Sequence, residues 1–229
     1  MATRKRRFRK TSLWLLVMFL LGSGLMLVAL TQNVAVTRLG KTATREMTTE
    51  SVQRANQAAQ GKTAPFNYAK TSQLNPLTVA GYGLQELTGN SQYGAVGQLR
   101  VPAVGLDLPI GVGVSNAVLV RGAGTLKADQ RMGQGNYALA GHYMTAQRLL
   151  FSPLKGVRQG NSVYLTDKRQ VYCYRVTRVR VVDRHRVDVI DEVPGKRLVT
   201  LVTCASAKRG EPKRLVVQGE LQSVTRERV

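Results

Sequence analysis

The sequence predicts an all-β domain, either a barrel or a sandwich, preceded by one N-terminal transmembrane helix. From Gly94 onward, short runs of Val, Ile, Leu and Tyr alternate with Gly, Pro, Asn and Asp, as in 163–165, 171–176 and 198–202. Many short strands at such close spacing are typical of β-barrels and β-sandwiches. Near the N terminus, an uncharged apolar run instead extends from Leu13 to Leu30.

The N-terminal segment has the pattern of an uncleaved signal anchor. Six basic residues precede the apolar run, and Trp14 lies at its start. A helix of this length crosses a hydrocarbon core of ~30 Å, and the positive-inside rule places its basic end in the cytoplasm. We predict a cytoplasmic tail over 1–12, a transmembrane helix over 13–31 and an extracellular remainder. A cleavable signal peptide is the alternative, because Val34-Ala35-Val36 resembles a small-x-small cleavage site.

The region after the apolar run is polar. Residues 32–75 are rich in Thr, Gln, Ala, Lys and Arg, a composition that suits a partly helical or poorly ordered stalk. Residues 75–87 have a weakly helical apolar pattern and are expected to cap the domain. We assign 32–88 to a stalk with an N-terminal helical region, and 89–229 to one folded domain of ordinary size.

The chain is strongly basic, with a formal net charge of +21. Six of the basic residues precede the apolar run, where the positive-inside rule accounts for them. An excess of positive charge ordinarily suggests nucleic-acid binding. However, the sequence contains no nucleic-acid-binding motif, and the predicted location is extracellular. We therefore expect no nucleic-acid partner and predict contact with anionic envelope polymers and lipid headgroups.

Three predicted strand ends carry chemically active side chains. The run 200–203 ends in Cys204, the run 139–141 ends in His142, and Arg214 opens the run 215–217. A free thiol is only slightly ionised at neutral pH, so a nucleophilic cysteine needs a histidine or cation nearby. A guanidinium can stabilise an oxyanion, and a histidine can protonate a leaving amine. These residues predict thiol-based acyl transfer at Cys204.

Other residues of the chain could fill the same three catalytic roles. Cys173 lies inside an alternating strand pattern between two tyrosines and is interpreted as structural, and both thiols are predicted to be free. His185 lies in a charged stretch typical of a solvated loop. Lys213 and Arg209 are the nearest alternatives to Arg214.

We predict neither a metal site nor a cofactor. The sequence has no His or Cys cluster with ligand spacing, and a calcium site would need several convergent oxygen ligands. The loop before His142 contains Lys127 and a single acid, Asp129. We therefore expect activity to be independent of calcium.

The ordered set of motifs resembles the class A sortases, membrane-anchored cysteine transpeptidases of Gram-positive bacteria. The similarity covers roughly residues 90 to 222. It rests on the Thr-Leu-Val-Thr-Cys segment ending at Cys204, the Ala-Gly-His segment ending at His142, and the strand that begins at Arg214. Further matching segments are 100–104, 108–110, 122–125, 150–154 and 164–167.

The resemblance implies an eight-stranded β-barrel with short helices, and 89–229 as its catalytic domain. It also implies secreted substrates with a Leu-Pro-x-Thr-Gly signal, cleaved between Thr and Gly, and transfer to the amine of a lipid II-like peptidoglycan precursor. Cys204 would be the nucleophile, His142 the acid and base, and Arg214 the oxyanion partner. Ala140, Val202 and Thr203 match substrate-contacting positions, and Val182 to Glu192 matches a loop that shapes substrate preference.

Two other functions are weighed. A pilin-polymerising sortase with a lysine nucleophile would often carry a second apolar span, whereas this chain ends at Val229, soon after the last predicted strand. A non-catalytic envelope-binding module would explain the basic charge but would leave the positions of Cys204, His142 and Arg214 as coincidence.

Overall fold

The computed structural model describes residues 4–59, 79, 81–82, 94–146 and 148–227. The helices are α1 (Arg4–Arg45), α2 (Thr49–Ala59) and the short α3 (Asn116–Leu119). The strands are β1 (Ala95–Val101), β2 (Leu106–Gly111), β3 (Ala123–Thr125), β4 (Asn136–Ala140), β5 (Ser162–Thr166), β6 (Gln170–Asp183), β7 (Leu198–Cys204) and β8 (Lys213–Arg226). Most of the stretch 75–87, predicted to cap the domain, lies outside the described residues.

The strands close into a barrel in the order β1-β2-β3-β4-β7-β8-β6-β5. The pairs β2–β3 and β4–β7 are parallel, and the other neighbours are antiparallel. The eight-stranded barrel with short helices that the sequence analysis predicted is therefore confirmed. Closure leaves no free sheet edge, and it brings β4, β7 and β8 side by side although a long stretch of chain separates β4 from β7.

The sheet around β4, β7 and β8 is buried on both faces. Side chains alternate along each strand. One set, including Leu139, Leu201 and Val217, joins the main core inside the barrel. The other set, including Ala140 and Val202, joins a second apolar cluster together with Val189 from the β6–β7 loop. Burial on both faces explains why these strands have continuous apolar runs in the sequence.

The two N-terminal helices pack on the barrel. On α1, Val36 and Leu39 are buried with Val120 and with Leu150, which lies in the segment after β4. On α2, Val52 is fully buried, and the Asn56 amide donates to the Val96 carbonyl at 2.9 Å. The helical part of the predicted stalk therefore contributes to the folded body. Among the described residues, the structure contains no helix whose length and apolar character would let it span a bilayer.

Candidate active site

Cys204 and Arg214 face each other across two antiparallel strands. Cys204 is the last residue of β7, and its partner in the register with β8 is Arg214. Residues opposite each other in an antiparallel pair lie on the same face, with Cβ atoms roughly 4.5–5.5 Å apart. Both residues are partly buried. The thiol and the guanidinium therefore share one end of the barrel wall.

His142 reaches the same end because β4 runs parallel to β7. Ala140 pairs with Val202, and the Gly141 amide donates to the Val202 carbonyl at 3.2 Å. Two parallel strands in this register end at the same level. His142 lies two residues after the end of β4, beside the end of β7 that carries Cys204. The fold thus brings together the three residues that the sequence analysis selected.

The segment around His142 is fixed by backbone contacts. The Phe151 amide donates to the His142 carbonyl at 3.0 Å, and the Ser152 hydroxyl donates to the Met144 carbonyl at 2.9 Å. Gly141 lies so close to the Phe151 ring that a Cβ at position 141 would lie 2.5 Å from ring carbons. The Phe151-Ser152 segment is therefore the structural support of the histidine, a role that the sequence analysis did not assign.

His142 is neutral in this environment. Burial lowers the pKa of its imidazole to about 4. Its Nε2 atom is buried and has no hydrogen-bond partner among the described residues. Desolvation disfavours the imidazolium ion because the charged form loses its hydration. At neutral pH, the side chain can therefore accept a proton.

Arg214 is held by the β7–β8 loop (205–212). Its Nη1 atom donates to the carbonyls of Glu211 at 2.6 Å and Lys213 at 3.1 Å. The Glu211 carboxylate accepts hydrogen bonds from the Ser206 hydroxyl and, at 2.9 Å, from the Lys213 amide. These bonds, chiefly the one from Ser206, lower the pKa of Glu211. These hydrogen bonds tie the guanidinium to the start of β8 and the end of the loop.

The predicted substrate-contacting residues lie on two different faces. Ala140 and Val202 share the apolar cluster outside the barrel, on the face that alternation also gives to Cys204 and Arg214. Thr203 lies on the opposite face and is fully buried, and its hydroxyl donates to the Gly141 carbonyl at 2.8 Å. Only Ala140 and Val202 adjoin the face that carries the thiol.

A buried polar network that the sequence analysis missed holds the β6–β7 loop (184–197) over this face. The Asn136 amide donates to the carbonyls of Val189 at 3.3 Å and Asp191 at 3.0 Å. The Thr200 hydroxyl donates to the Asn136 side-chain oxygen at 2.7 Å. The sequence does contain a signal for this network, because Asn136 is a polar residue at the start of an apolar strand. Buried polar groups require hydrogen-bond partners.

A charged contact joins the β6–β7 loop to the β3–β4 loop (126–135). The Lys127 ammonium lies 2.6 Å from the Glu192 carboxylate, which also accepts a hydrogen bond from the backbone N–H of Asn136 at 3.1 Å. These contacts, with the Lys127 hydrogen bond as the largest cause, lower the pKa of Glu192. Within the described residues, no group of three or more His, Cys, Asp or Glu side chains could hold a metal ion.

The alternative candidates for the three catalytic roles lie at other places in the structure. Cys173 is the fourth residue of β6, and His185 and Arg209 are exposed in the loops after β6 and β7. Lys213 is also exposed, and its ammonium lies 3.6 Å from the Asp183 carboxylate. Both cysteines are free thiols.

Comparisons with known proteins give the family of this chain. The family model of the sortase domain matches residues 99–222, more than half of the chain. Sortase A of Streptococcus agalactiae is 44% identical over 132 residues, 56% of this chain and 53% of that protein. Sortase A of Listeria monocytogenes is 42% identical over 127 residues, 56% of this chain and 56% of that protein. The chain spans about half the length of these curated relatives.

A solved structure extends the likeness to the fold. The crystal structure of Listeria monocytogenes sortase A has a TM-score of 0.57 and 39% sequence identity, covering 58% of this chain and 91% of that chain. The matched family model includes β4, β7 and most of β8, and with them His142, Cys204 and Arg214. The class A resemblance predicted from the sequence is confirmed, and the chain belongs to the sortase family.

Proposed function

We propose that this chain is a cysteine transpeptidase that cleaves a Leu-Pro-x-Thr-Gly signal between Thr and Gly. The acyl product is transferred to an amine of a lipid II-like peptidoglycan precursor, which anchors the secreted protein to the cell wall. The main support is the convergence of three strand ends, with Cys204 opposite Arg214 and His142 beside them. No cofactor or metal is needed for this chemistry.

In the first half-reaction, the Cys204 sulfur attacks the carbonyl carbon of the substrate threonine while the thiol proton passes to the neutral imidazole of His142. The developing oxyanion is stabilised by the Arg214 guanidinium. The imidazolium then gives the proton to the leaving amine of the glycine, and the carbon–nitrogen bond breaks. A thioester to Cys204 and a free C-terminal fragment result.

In the second half-reaction, the acceptor amine attacks the thioester. His142, neutral again, takes one proton from this amine and returns it to the departing sulfur of Cys204. The low pKa of His142, about 4, suits both steps because the imidazole must be unprotonated at the start of each. The new amide bond joins the substrate protein to the acceptor.

Ala140 and Val202 are proposed to form the apolar wall against which the Leu-Pro part of the signal packs. Both are buried beside Val189 of the β6–β7 loop, so substrate entry requires this loop to shift. The first part of this loop, 184–192, belongs to the predicted 182–192 specificity segment. For Thr203 we propose a positioning function, because its hydroxyl holds the Gly141 carbonyl next to His142.

The proposed location is the cell membrane, with a single N-terminal span, a cytoplasmic N terminus and an extracellular catalytic domain. The support is the uncharged run from Leu13 to Leu30 after a basic tail. Helix α1 passes through this run without interruption, and large apolar side chains from Leu13 to Leu21 are exposed. An apolar surface of this kind suits contact with lipid.

Capture of the acyl intermediate tests the proposed chemistry. The full chain in neutral detergent is mixed with Leu-Pro-x-Thr-Gly peptides that differ at x, quenched in acid, and digested for mass spectrometry. A thioester-linked Leu-Pro-x-Thr group on the peptide containing Cys204, absent in Cys204→Ala, is expected. An adduct on Cys173, or the absence of any adduct and any cleavage across the panel, contradicts the proposal.

A further inference from the structure

A cavity lies away from the proposed active site, between α1 and the barrel. Its volume is about 840 Å³. Part of its lining is apolar, with Val36, Leu108, Leu149 and Leu150. The charged side chains in the lining are five bases and one acid: Arg38, Lys41, Arg45, Arg121, Arg148 and Asp107. The cavity therefore combines a cationic part with an apolar part.

One of these cations is held in a fixed position. Arg121 is only 2% exposed, and its Nη1 atom donates to the Ala117 carbonyl at 2.8 Å. Its guanidinium lies over the Tyr82 ring, 6.0 Å from the ring centroid. The Asp107 carboxylate is engaged by the Gln98 amide at 2.5 Å. A guanidinium held in this way is preorganised for a planar or tetrahedral oxyanion such as phosphate.

The other cations of the cavity come from α1 and from the segment after β4. Arg38, Lys41 and Arg45 lie at helical spacing on α1 and are exposed, and Arg148 is exposed on the segment after β4. Side chains three and four residues apart share one face of a helix. Cations in such numbers just outside an anchor are unusual, because the positive-inside rule concentrates them on the cytoplasmic side.

In the membrane topology proposed above, α1 places this cavity near the lipid headgroups. Arg38 follows Leu30 by eight residues on a continuous helix, so it lies about 12 Å beyond the end of the apolar run at 1.5 Å per residue. Helical side chains lean towards the N terminus, which here is the direction of the membrane. The headgroup layer of the bilayer lies within reach of these long cationic side chains.

We propose that this cavity binds a phosphate-bearing anion, with the phosphate held by Arg38, Lys41, Arg121 and Arg148. Two sources share this chemistry: the headgroup of an anionic membrane phospholipid, whose glycerol end would contact the apolar lining, and a soluble phosphate or pyrophosphate. The lipid source rests on the membrane anchor proposed above, whereas the soluble source does not. Neither depends on Cys204, His142 or Arg214.

The test uses the full chain in neutral detergent micelles and isothermal titration calorimetry. One titration adds micelles doped with phosphatidylglycerol, and the other adds sodium pyrophosphate. We expect saturable binding with one site per chain. The double variant Arg38→Glu/Lys41→Glu should weaken it by at least about tenfold, because each cation near an anionic lipid surface contributes a factor of several.

The matched control is Arg169→Glu/Arg178→Glu, which makes the same charge change at two exposed residues that do not line the cavity. Its affinity should fall less than about threefold, because exposed charges at a distance are screened. Binding of phosphatidylglycerol alone identifies the lipid source, and binding of pyrophosphate with the same dependence on Arg38 and Lys41 identifies phosphate itself. Equal losses in both double variants, or saturable binding of neither probe, would overturn the proposal.

Two further measurements control for folding and for the proposed transpeptidase activity. A circular dichroism melt of each variant establishes folding, and Arg38→Gln/Lys41→Gln replaces the charge reversal if that variant does not fold. Peptide cleavage by the unsubstituted chain is measured in the same micelles. Binding without cleavage would count against the proposed transpeptidase alone, and cleavage without binding would count against this site alone.

Discussion

Cys204 and Cys173 are free thiols in the same barrel, but their surroundings differ in kind. Cys173 lies inside β6, as its fourth residue, and is paired with Tyr164 on one side and Ser223 on the other. Cys204 is the last residue of β7, opposite Arg214 on β8. On its other side, the register between β4 and β7 ends at Ala140 and Val202.

The difference separates a strand interior from a strand end within one sheet. Cys173 has paired backbone on both sides. At the end of β7, the space next to the ladder is open to His142 and to the β7–β8 loop that orients Arg214. The proposed reactivity of Cys204 therefore depends on where the neighbouring strands stop, and substitutions at these positions test the contrast.

The largest expected effect comes from the cysteines themselves. Cys204→Ala should abolish both peptide cleavage and transfer, because the covalent route is lost with the nucleophile. Cys173→Ala, which removes the other thiol of the chain, from within β6, should retain most activity. Chromatographic assays of both products will measure this. Comparable losses in two folded variants would show that the contrast between the two positions is wrong.

Arg214→Lys should reduce kcat/KM by about 10²–10³, roughly 3–4 kcal/mol of transition-state stabilisation. A flexible ammonium cannot reproduce the forked geometry of a guanidinium. The neighbouring variants Lys213→Ala and Arg209→Ala are the controls, and each should cost less than about threefold. Steady-state kinetics decides the matter. Near-normal turnover in Arg214→Lys, or a collapse in Arg209→Ala, would assign the role to another cation.

The burial of His142 predicts a pH-dependent stability. Its folded pKa of about 4 lies below the unfolded value of ~6.5, so the unfolded state binds more protons between these limits. The free energy of unfolding should therefore fall as the pH drops from 6.5 to 4, by roughly 2–3 kcal/mol from this residue. His142→Gln should lack this component when denaturant titrations are compared across the pH range.

The pKa itself can be measured by NMR in His185→Gln, which leaves His142 as the only histidine of the chain. The imidazole signals should titrate well below pH 6. A midpoint at or above 6.5 would mean that the imidazole is solvated in the resting enzyme, and both half-reactions would then need a different account.

The smallest effect is expected at the contact between Lys127 and Glu192. The side chain of Lys127 is 23% exposed and that of Glu192 is 64% exposed, and such pairs contribute less than about 1 kcal/mol. Lys127→Ala should therefore lower kcat/KM only about two- to fivefold by loosening the β6–β7 loop. Asp129→Ala, in the same loop but outside this pair, is the control.

The same contact predicts that activity does not depend on calcium. The Lys127 ammonium repels a divalent cation at Glu192, so a calcium chelator should leave turnover unchanged in the parent chain. Kinetics with and without chelator will check this. A large drop that added calcium reverses would show that other carboxylates complete a metal site.

Much of the site follows from local sequence. Cys204 and His142 end apolar runs and Arg214 opens one, and each lies at a strand boundary in the structure. Apolar runs bounded by polar loops are a local signal, and so they can be located without knowledge of the fold. The polar composition of 32–75, however, was interpreted as a stalk, whereas Val36, Leu39 and Val52 are buried. A few apolar residues at helical spacing sufficed for packing on the barrel.

The sequence by itself determined the strands, the reactive residue types and the family. Only the tertiary structure decided that Ala140 and Val202 share a face while Thr203 faces the interior, because faces follow from register and alternation. It also decided that Asn136 anchors the β6–β7 loop and that burial holds His142 neutral. These properties depend on contacts between residues far apart in the chain, and such contacts form only when the barrel closes.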